Sequence, residues 1–422
     1  MTRNTFVEAE LGRVACMVTG DLASFLRPRE YIYSMMSEEL ICLISTTASY
    51  RKTSSILNRV LRRLEGSMFK TSTLSDHIES RGRMVGEKMH DCAREILCAI
   101  PGISEDGTVE DPSLIPDPIK NPGALEHLDT GDKTEFFHDI IMSYNTDRDE
   151  CDQIKNRELV NDTEINPDDC VYVSIDDVGV RHQKDSRKDG GKKTGKVVEN
   201  TVIHVQSREG EYTITDVGMK KAFTLLMAYL MSNNLLVNRH LYFFSDGASN
   251  IRKSIETFFK DLCPYKLMLD WYHLEKRMNE LCSMALKGSK EIRHDMRYAL
   301  DCKLWAGNFD EAMSYLKGID PKFVKNDRRL EEAVEYLERK KPYAACYALR
   351  RNLRYRNSSN PAEKANDIIV ARRQKHNGMS WSYEGSGALA AITALMQNNK
   401  TELWVTKRNI SFVPKAYDSE VA

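Results

Sequence analysis

Three short apolar runs in this 422-residue chain each end in an aspartate. Val171 to Ile175 leads into Asp176-Asp177, His240 to Ser245 leads into Asp246-Gly247, and Tyr265 to Leu269 leads into Asp270-Trp271-Tyr272-His273. Short runs rich in β-branched and aromatic residues read as buried strands. The Asp246-Gly247 pair reads as a turn into a helix, with Ser249 or Asn250 as its N-cap. The acids thus fall at strand carboxyl ends, where open α/β sheets place their chemistry. Carboxylates gathered on neighbouring strand ends and a facing helix make a hard-oxygen site suited to Mg²⁺ or Mn²⁺. Two such ions about 4 Å apart activate water or a 3′-hydroxyl and stabilise the leaving oxygen of an in-line phosphoryl displacement. No glycine-rich phosphate loop, G-x-S-x-G elbow, dinucleotide fingerprint or His-rich zinc motif offers a rival chemistry.

The elements that must position these acids follow from the pattern around them. Val178 to Gln183, Val197 to Gln206 and Tyr212 to Asp216 read as further strands, with residues 185–196 as a polar hairpin tip. Helices are expected over Gly218 to Asn233, after Asp246 to Phe259, and over Trp271 to Leu286. Three antiparallel strands followed by helix, strand, helix and strand predict an α/β, ribonuclease-H-like mixed sheet. The first part of this core spans 170–289. Residues 290–357 are helical throughout and too long for a connection, which makes them a helical insertion. The second part, 358–422, opens with a helix from Pro361 through Arg373, with proline in its first turn, and ends with one over Tyr383 to Gln397.

Ahead of the core, residues 1–100 read as all-helical. Ser37 to Ser45 and Tyr50 to Leu64 are apolar-periodic, the second with Ile56, Leu57, Val60, Leu61 and Leu64 on one face. A break at Gly66 precedes a capped, Ser/Thr-rich start at Thr71. Helix, turn and polar helix suit a helix-turn-helix that would read DNA, against a plain helical packing module as the bland alternative. Residues 101–169, rich in Pro, Asp and Glu, read as an acidic linker or extension.

Composition narrows the class. The chain has 61 basic and 62 acidic residues, so its net charge of −1 gives no global attraction to nucleic acid. Local basic clusters, such as Arg372-Arg373-Gln374-Lys375, can bind phosphates even when the total is neutral, against a solvated face as the bland reading. Ten cysteines with no Cys-x-x-Cys pair indicate neither a zinc knuckle nor a disulfide framework. No apolar run approaches the 18 or so residues that span a bilayer, and no secretory leader is visible; a cytoplasmic, nucleoid-associated protein is expected.

Four segments in order resemble one family. They are Ile175-Asp176-Asp177-Val178-Gly179-Val180, Phe244-Ser245-Asp246-Gly247, Asp270-Trp271-Tyr272-His273, and Pro361-Ala362-Glu363-Lys364-Ala365-Asn366 running on to Trp381. Together, over about Cys170 to Trp404 and more loosely near Ser49-Tyr50-Arg51-Lys52, the chain resembles the DDE transposases of bacterial insertion sequences, in the Lre-type family related to the Mutator group. The resemblance implies Asp176, Asp246 and Glu363 as the acids holding two Mg²⁺ (or Mn²⁺) ions, with Asp270 and His273 supporting the site or handling DNA. It implies double-stranded DNA, both element ends and target, as partner, and a homo-oligomer in the DNA complex. Arg372, Arg373, Lys375, Arg51 and Lys52 are the expected DNA contacts. The family usually carries Asp-Gly where this chain has Asp176-Asp177; Asp176 is favoured because it follows directly on the apolar strand, and Asp177 stays open. The bland readings are turn acids for Asp176 and Asp246, helix-cap acids for Glu363 and Asp270, and a core histidine for His273. Glu384, also before a helix, is a rival third acid. The function implied is strand cleavage at element ends and strand transfer into target DNA. The alternatives are a ribonuclease-H-like nuclease or resolvase, and a catalytically idle DNA-binding descendant.

Overall fold

Cys170–Arg181 forms one continuous strand of 12 residues, β3, at the centre of the main sheet. A computed structural model describes residues 3–9, 12–18, 35–60, 69–121, 133–164, 166–183, 197–245, 248–375 and 379–417. β3 pairs antiparallel with β4 (Val197–Ser207), which pairs antiparallel with β5 (Gly210–Val217). On its other side β3 runs parallel to β6 (His240–Ser245), and β6 parallel to β7 (Tyr265–Leu269). The order β5-β4-β3-β6-β7, antiparallel in its first half and parallel in its second, is the ribonuclease-H-like sheet. The two strands expected over 171–183 are therefore one, because nothing between them breaks the ladder to β4.

Side chains alternate along β3, so its two faces meet different layers. Val171, Val173 and Ile175 pack in the core under α4 (Met219–Ser232) and α5 (Ser249–Phe259). Cys170 and Tyr172 face the core shared with the insertion, and Val178 and Val180 a third cluster with Ile369 and Trp381. α4 is apolar nearly all round, with every residue from Ala222 to Leu230 buried, as befits a helix enclosed by other elements. After β7 come α6 (Trp271–Ala285) and the insertion helices α7 (Lys290–Trp305), α8 (Phe309–Lys317) and α9 (Asp327–Lys340). α10 (Asn360–Asn366) continues directly as a π-helix over Asp367–Lys375, followed by α11 (Tyr383–Gln397) and α12 (Thr401–Lys407).

The N-terminal region departs from expectation in three ways. Arg3–Ala9 (β1) and Gly12–Val18 (β2) form an antiparallel hairpin, so residues 1–100 are not all-helical; both stretches are too short for a helix that must nucleate alone. α2 (Tyr50–Val60), which follows α1 (Met35–Thr47), buries Tyr50, Thr53 and Leu57 and leaves Ile56 and Val60 exposed, so its inward face is rotated from the one expected. The Ser/Thr-rich start at Thr71 opens α3 (Thr71–Cys98), 28 residues long, whose stripe Leu74, Ile78, Val85, Met89, Ala93 and Leu97 is buried. α3 lies along α4 and α11, and a Cβ at Gly82 would stand 2.1 Å from the Ala388 carbonyl oxygen. It is a core helix, because a stripe that long outweighs a few polar residues at its start. The acidic stretch also packs: Ile103, Ile115 and Ile119 join the main core, and Phe137, Ile154 and Val160 cluster with Ala306 and Leu349.

Buried charge ties these helices together. Glu38 of α1 accepts from both Arg408 amines, at 2.6 and 2.5 Å, and lies 3.4 Å from Arg81 of α3. One turn before Arg81, His77 is 8% exposed. Burial, aided by Arg81 and Arg408 and opposed by Glu38, holds its pKa down at about 4 against 6.5. The unfolded chain therefore binds a proton that the folded chain refuses in that window. Stability is full above pH 6.5 and should fall by roughly 3 kcal/mol as pH drops from 6.5 to about 4. Urea unfolding of wild type and His77→Leu across this range checks it, since the variant should lack this part of the acid loss.

Candidate active site

Strand alternation decides which acid faces which layer. Asp176 shares the face of Val178, on which α10 and the π-helix lie, whereas Asp177 shares the face of Ile175. Asp176 Oδ2 accepts a 2.6 Å hydrogen bond from Asn366 Nδ2, the last residue of α10. Glu363, three residues earlier, lies on the same side of that helix. Its other neighbour is His273, whose Nε2 stands 3.3 Å from Glu363 Oε1. The His273 ring is held in turn by Asp270, with Nδ1 3.5 Å from Oδ2.

Asp270 does two jobs. It is the N-cap of α6, accepting from the His273 backbone N–H, and it accepts from the backbone N–H of Ser359 at the entry to α10. The side chain is fully buried. Burial alone would raise its pKa, but the hydrogen bonds from His273 and Ser359 outweigh it and hold the carboxyl below its ordinary range. The cap reading is correct and incomplete, since the same carboxylate fixes the helix that carries Glu363. Glu363 is shifted the opposite way. Burial raises its pKa, the nearby charges of Asp270 and Asp176 raise it further, and His273 and Lys276 only partly oppose them.

Glu363 thus sits in the negative charge of both Asp270 and Asp176, the situation a divalent cation relieves. A buried atom points the same way. Asn366 is 5% exposed, and its Oδ1 has no hydrogen-bond partner among the described residues. An orphaned buried carbonyl costs about 1–3 kcal/mol. The donor set present, carboxylate and amide oxygen, fits Mg²⁺ or Mn²⁺. No group of three or more His, Cys, Asp or Glu within mutual metal-binding reach occurs among the described residues. Asp246 lies outside them; it follows Ser245, and β6 Phe244 pairs with β3 Ser174, so positions 176 and 246 both come two residues after a paired position.

The other expected residues divide sharply. Asp177 accepts from Thr201 Oγ1 at 2.7 Å and from Asn250 Nδ2 at 3.0 Å on the opposite face; burial raises its pKa despite those bonds. Glu384 is exposed at the start of α11, with Glu79 of α3 as its charged neighbour. Arg373 is not a surface residue. It is 1% exposed, with its guanidinium over the rings of Tyr50 at 5.0 Å and Trp381 at 5.1 Å and Nε donating to Ser45 O at 3.0 Å. Arg372 and Lys375 are exposed on the π-helix, as are Arg51 and Lys52 on α2.

Separate stretches of sequence also make a basic recess that its motifs did not announce. At the carboxyl ends of β6 and β7, Ser245 and Leu269 floor an opening of about 230 Å³ walled by Arg252, Arg339, Lys340 and Tyr343. Arg252 Nη1 donates to the Tyr343 hydroxyl at 3.1 Å, joining α5 to the insertion. A larger groove of about 1130 Å³ between α3, β5 and α11 mixes Arg83, Arg94 and Lys220 with Glu87, Asp91 and Asp106, a lining without net attraction for a polyanion.

No protein-family model matches the chain, and no curated protein matches it. Among solved structures, the Drosophila P element transposase strand transfer complex is similar over 90% of this chain and 83% of that chain, at 10% identity and a TM-score of 0.24. At that identity and score, function has to be argued from the site. No helix among the described residues is long and apolar enough to cross a membrane.

Proposed function

We propose that this chain is a metal-dependent DNA strand-transfer enzyme, a DDE-type transposase of the Lre-type insertion-sequence kind. The observation that carries the reading is that the helix carrying Glu363 bonds Asp176 through Asn366 on one face of a ribonuclease-H-like sheet, with Asp270 and His273 beside Glu363. Asp176 and Glu363, with Asp246, which follows Ser245 in sequence, would hold two Mg²⁺ or Mn²⁺ ions. Bound there, they supply activation of a water or a 3′-hydroxyl and charge neutralisation at the leaving oxygen. The chain's own residues supply placement. Asp270 fixes both the start of α6 and the entry to α10, so His273 and Glu363 keep one separation. His273 holds the Glu363 carboxylate by its Nε2, 3.3 Å from Oε1. Positioning and charge stabilisation are what phosphoryl transfer asks of a protein.

Double-stranded DNA is the partner, as element end and then as target, and a homo-oligomer holds two ends together. The basic recess beside the strand ends is suited to a backbone phosphate adjacent to the scissile one. Arg252→Glu with Arg339→Glu should weaken DNA binding about tenfold or more and flatten the slope of log affinity against log salt by about 1–2. A titration of labelled duplex at several salt concentrations checks this. The reading itself is tested by incubating the protein with Mg²⁺ and duplexes carrying the ends of its own element. Nicks at the element boundary and joined products are expected. Cleavage without joining would favour a nuclease or resolvase, and metal-independent inertness would favour an idle DNA-binding descendant.

A further inference from the structure

We infer that Asn366 is an oxygen ligand of the cation held by Asp176 and Glu363, a role that rests on the metal-dependent reading above. Asn366 and Glu363 stand three residues apart on α10, so the helix presents both to Asp176 from one side. The two ends of the Asn366 amide are used unequally. Nδ2 donates to Asp176 Oδ2 at 2.6 Å, while Oδ1 is buried with no partner among the described residues. Most buried side-chain carbonyls are paired, and this one lies beside an acid site. A half-turn of the amide exchanges its nitrogen and oxygen without moving the helix. It brings a neutral oxygen donor to the carboxylate oxygen that Nδ2 now holds. Mg²⁺ and Mn²⁺ accept amide oxygens beside carboxylates.

The position of Asn366 makes the exchange local. Immediately after it the chain leaves α-helical geometry for the π-helix over Asp367–Lys375. That segment is anchored by Gln374, which is fully buried and accepts from Ser386 Oγ at 2.6 Å while donating to the Ser386 carbonyl. Asn200 donates to the same serine at 2.9 Å from β4. The backbone at 366 is thus tied to the sheet on its carboxyl side and to Asp270 through Ser359 on its amino side. Only the amide is left to respond to a cation. Without one, Asn366 acts as a donor that keeps the Asp176 carboxylate in place.

The test uses the full chain without DNA and Mn²⁺ alone as probe. Calorimetric titration with Mn²⁺ should show Asn366→Leu weakened about tenfold or more, Asn366→Asp within about threefold of wild type, and Asp176→Asn without measurable binding. Unchanged affinity in a folded Asn366→Leu protein would overturn the ligand role while leaving the metal site standing. Wild-type protein that takes up no Mn²⁺ would overturn the metal reading and this inference with it. A crystal structure of wild type soaked in Mn²⁺ decides the matter even where Asn366→Leu fails to fold. Anomalous density with Asn366 Oδ1 in its coordination shell is expected, and an Asn366 Nδ2 still bonded to Asp176 beside a bound ion would refute the role.

Discussion

Glu363→Gln and Asp176→Asn should each lower metal-dependent strand cleavage by a thousandfold or more, about 4 kcal/mol of barrier, while Asp177→Asn stays within about threefold of wild type. The contrast comes from the sheet. Asp176 points to α10, where Asn366 holds it and Glu363 feels its charge, whereas Asp177 points to the layer of α5, bonded to Thr201 and Asn250. Gln and Asn keep the volume and one oxygen of the acids they replace, remove the charge and turn the other oxygen into an NH2 donor. Glu363→Gln also relieves the crowding of negative charge that raises the Glu363 pKa, so metal-free stability should hold or rise and DNA affinity should not fall. Single-turnover cleavage of an end-containing duplex at saturating Mg²⁺, beside a binding titration for each variant, separates chemistry from binding. Loss of cleavage in Asp177→Asn with an active Asp176→Asn would assign the site to the other face and undo the proposed arrangement.

Why that contrast was open in the sequence has a physical cause. Cys170 to Ile175 are buried on both faces of β3, so the run is nearly continuously apolar and its alternation is hidden. Nothing in such a strand says which of the next two acids will face which helix layer. The strand ends themselves were legible, because short apolar runs closed by Asp mark them, and the strand–helix alternation gave the ribonuclease-H-like order. Glu363 could be singled out only by resemblance, since a carboxylate in a helix's first turn is common for dipole reasons alone. Asn366 carries no signal in sequence. Its candidacy rests on the 2.6 Å bond to Asp176 and on an oxygen with no partner among the described residues. The basic recess was out of reach because Arg252, Arg339 and Tyr343 converge only after the insertion folds back onto α5. The N-terminal hairpin was lost to the helical periodicity that begins farther along.

Arg373 shows the opposite failure, a residue whose chemistry pointed to DNA and whose place is structural. Arginine is seldom fully buried unless paired, so a basic cluster beside an acid site reads first as a phosphate contact. Here the guanidinium lies between Tyr50 and Trp381, donates to Ser45 O, and sits with Nη1 3.1 Å from Met379 Sδ; burial lowers its pKa. It joins the end of α1 and the start of α2 to the π-helix and to the segment before α11. Arg373→Ala would remove two cation–π contacts and a hydrogen bond and leave a cavity, an expected loss of about 3–5 kcal/mol. Arg373→Lys should recover little of it, because a compact ammonium cannot stack as a flat guanidinium does between two rings. The same substitution should reach the chemistry, since the π-helix continues α10 and a slackened anchor lets Glu363 and Asn366 drift from Asp176. Denaturant unfolding measures the first effect and Mn²⁺ affinity of the folded variant the second. A surface role in DNA binding predicts the reverse pattern, with the unfolding midpoint unmoved and DNA affinity reduced. Arg372→Ala supplies the comparison. Its side chain is exposed one residue away, so it should leave the midpoint within about 0.5 kcal/mol of wild type.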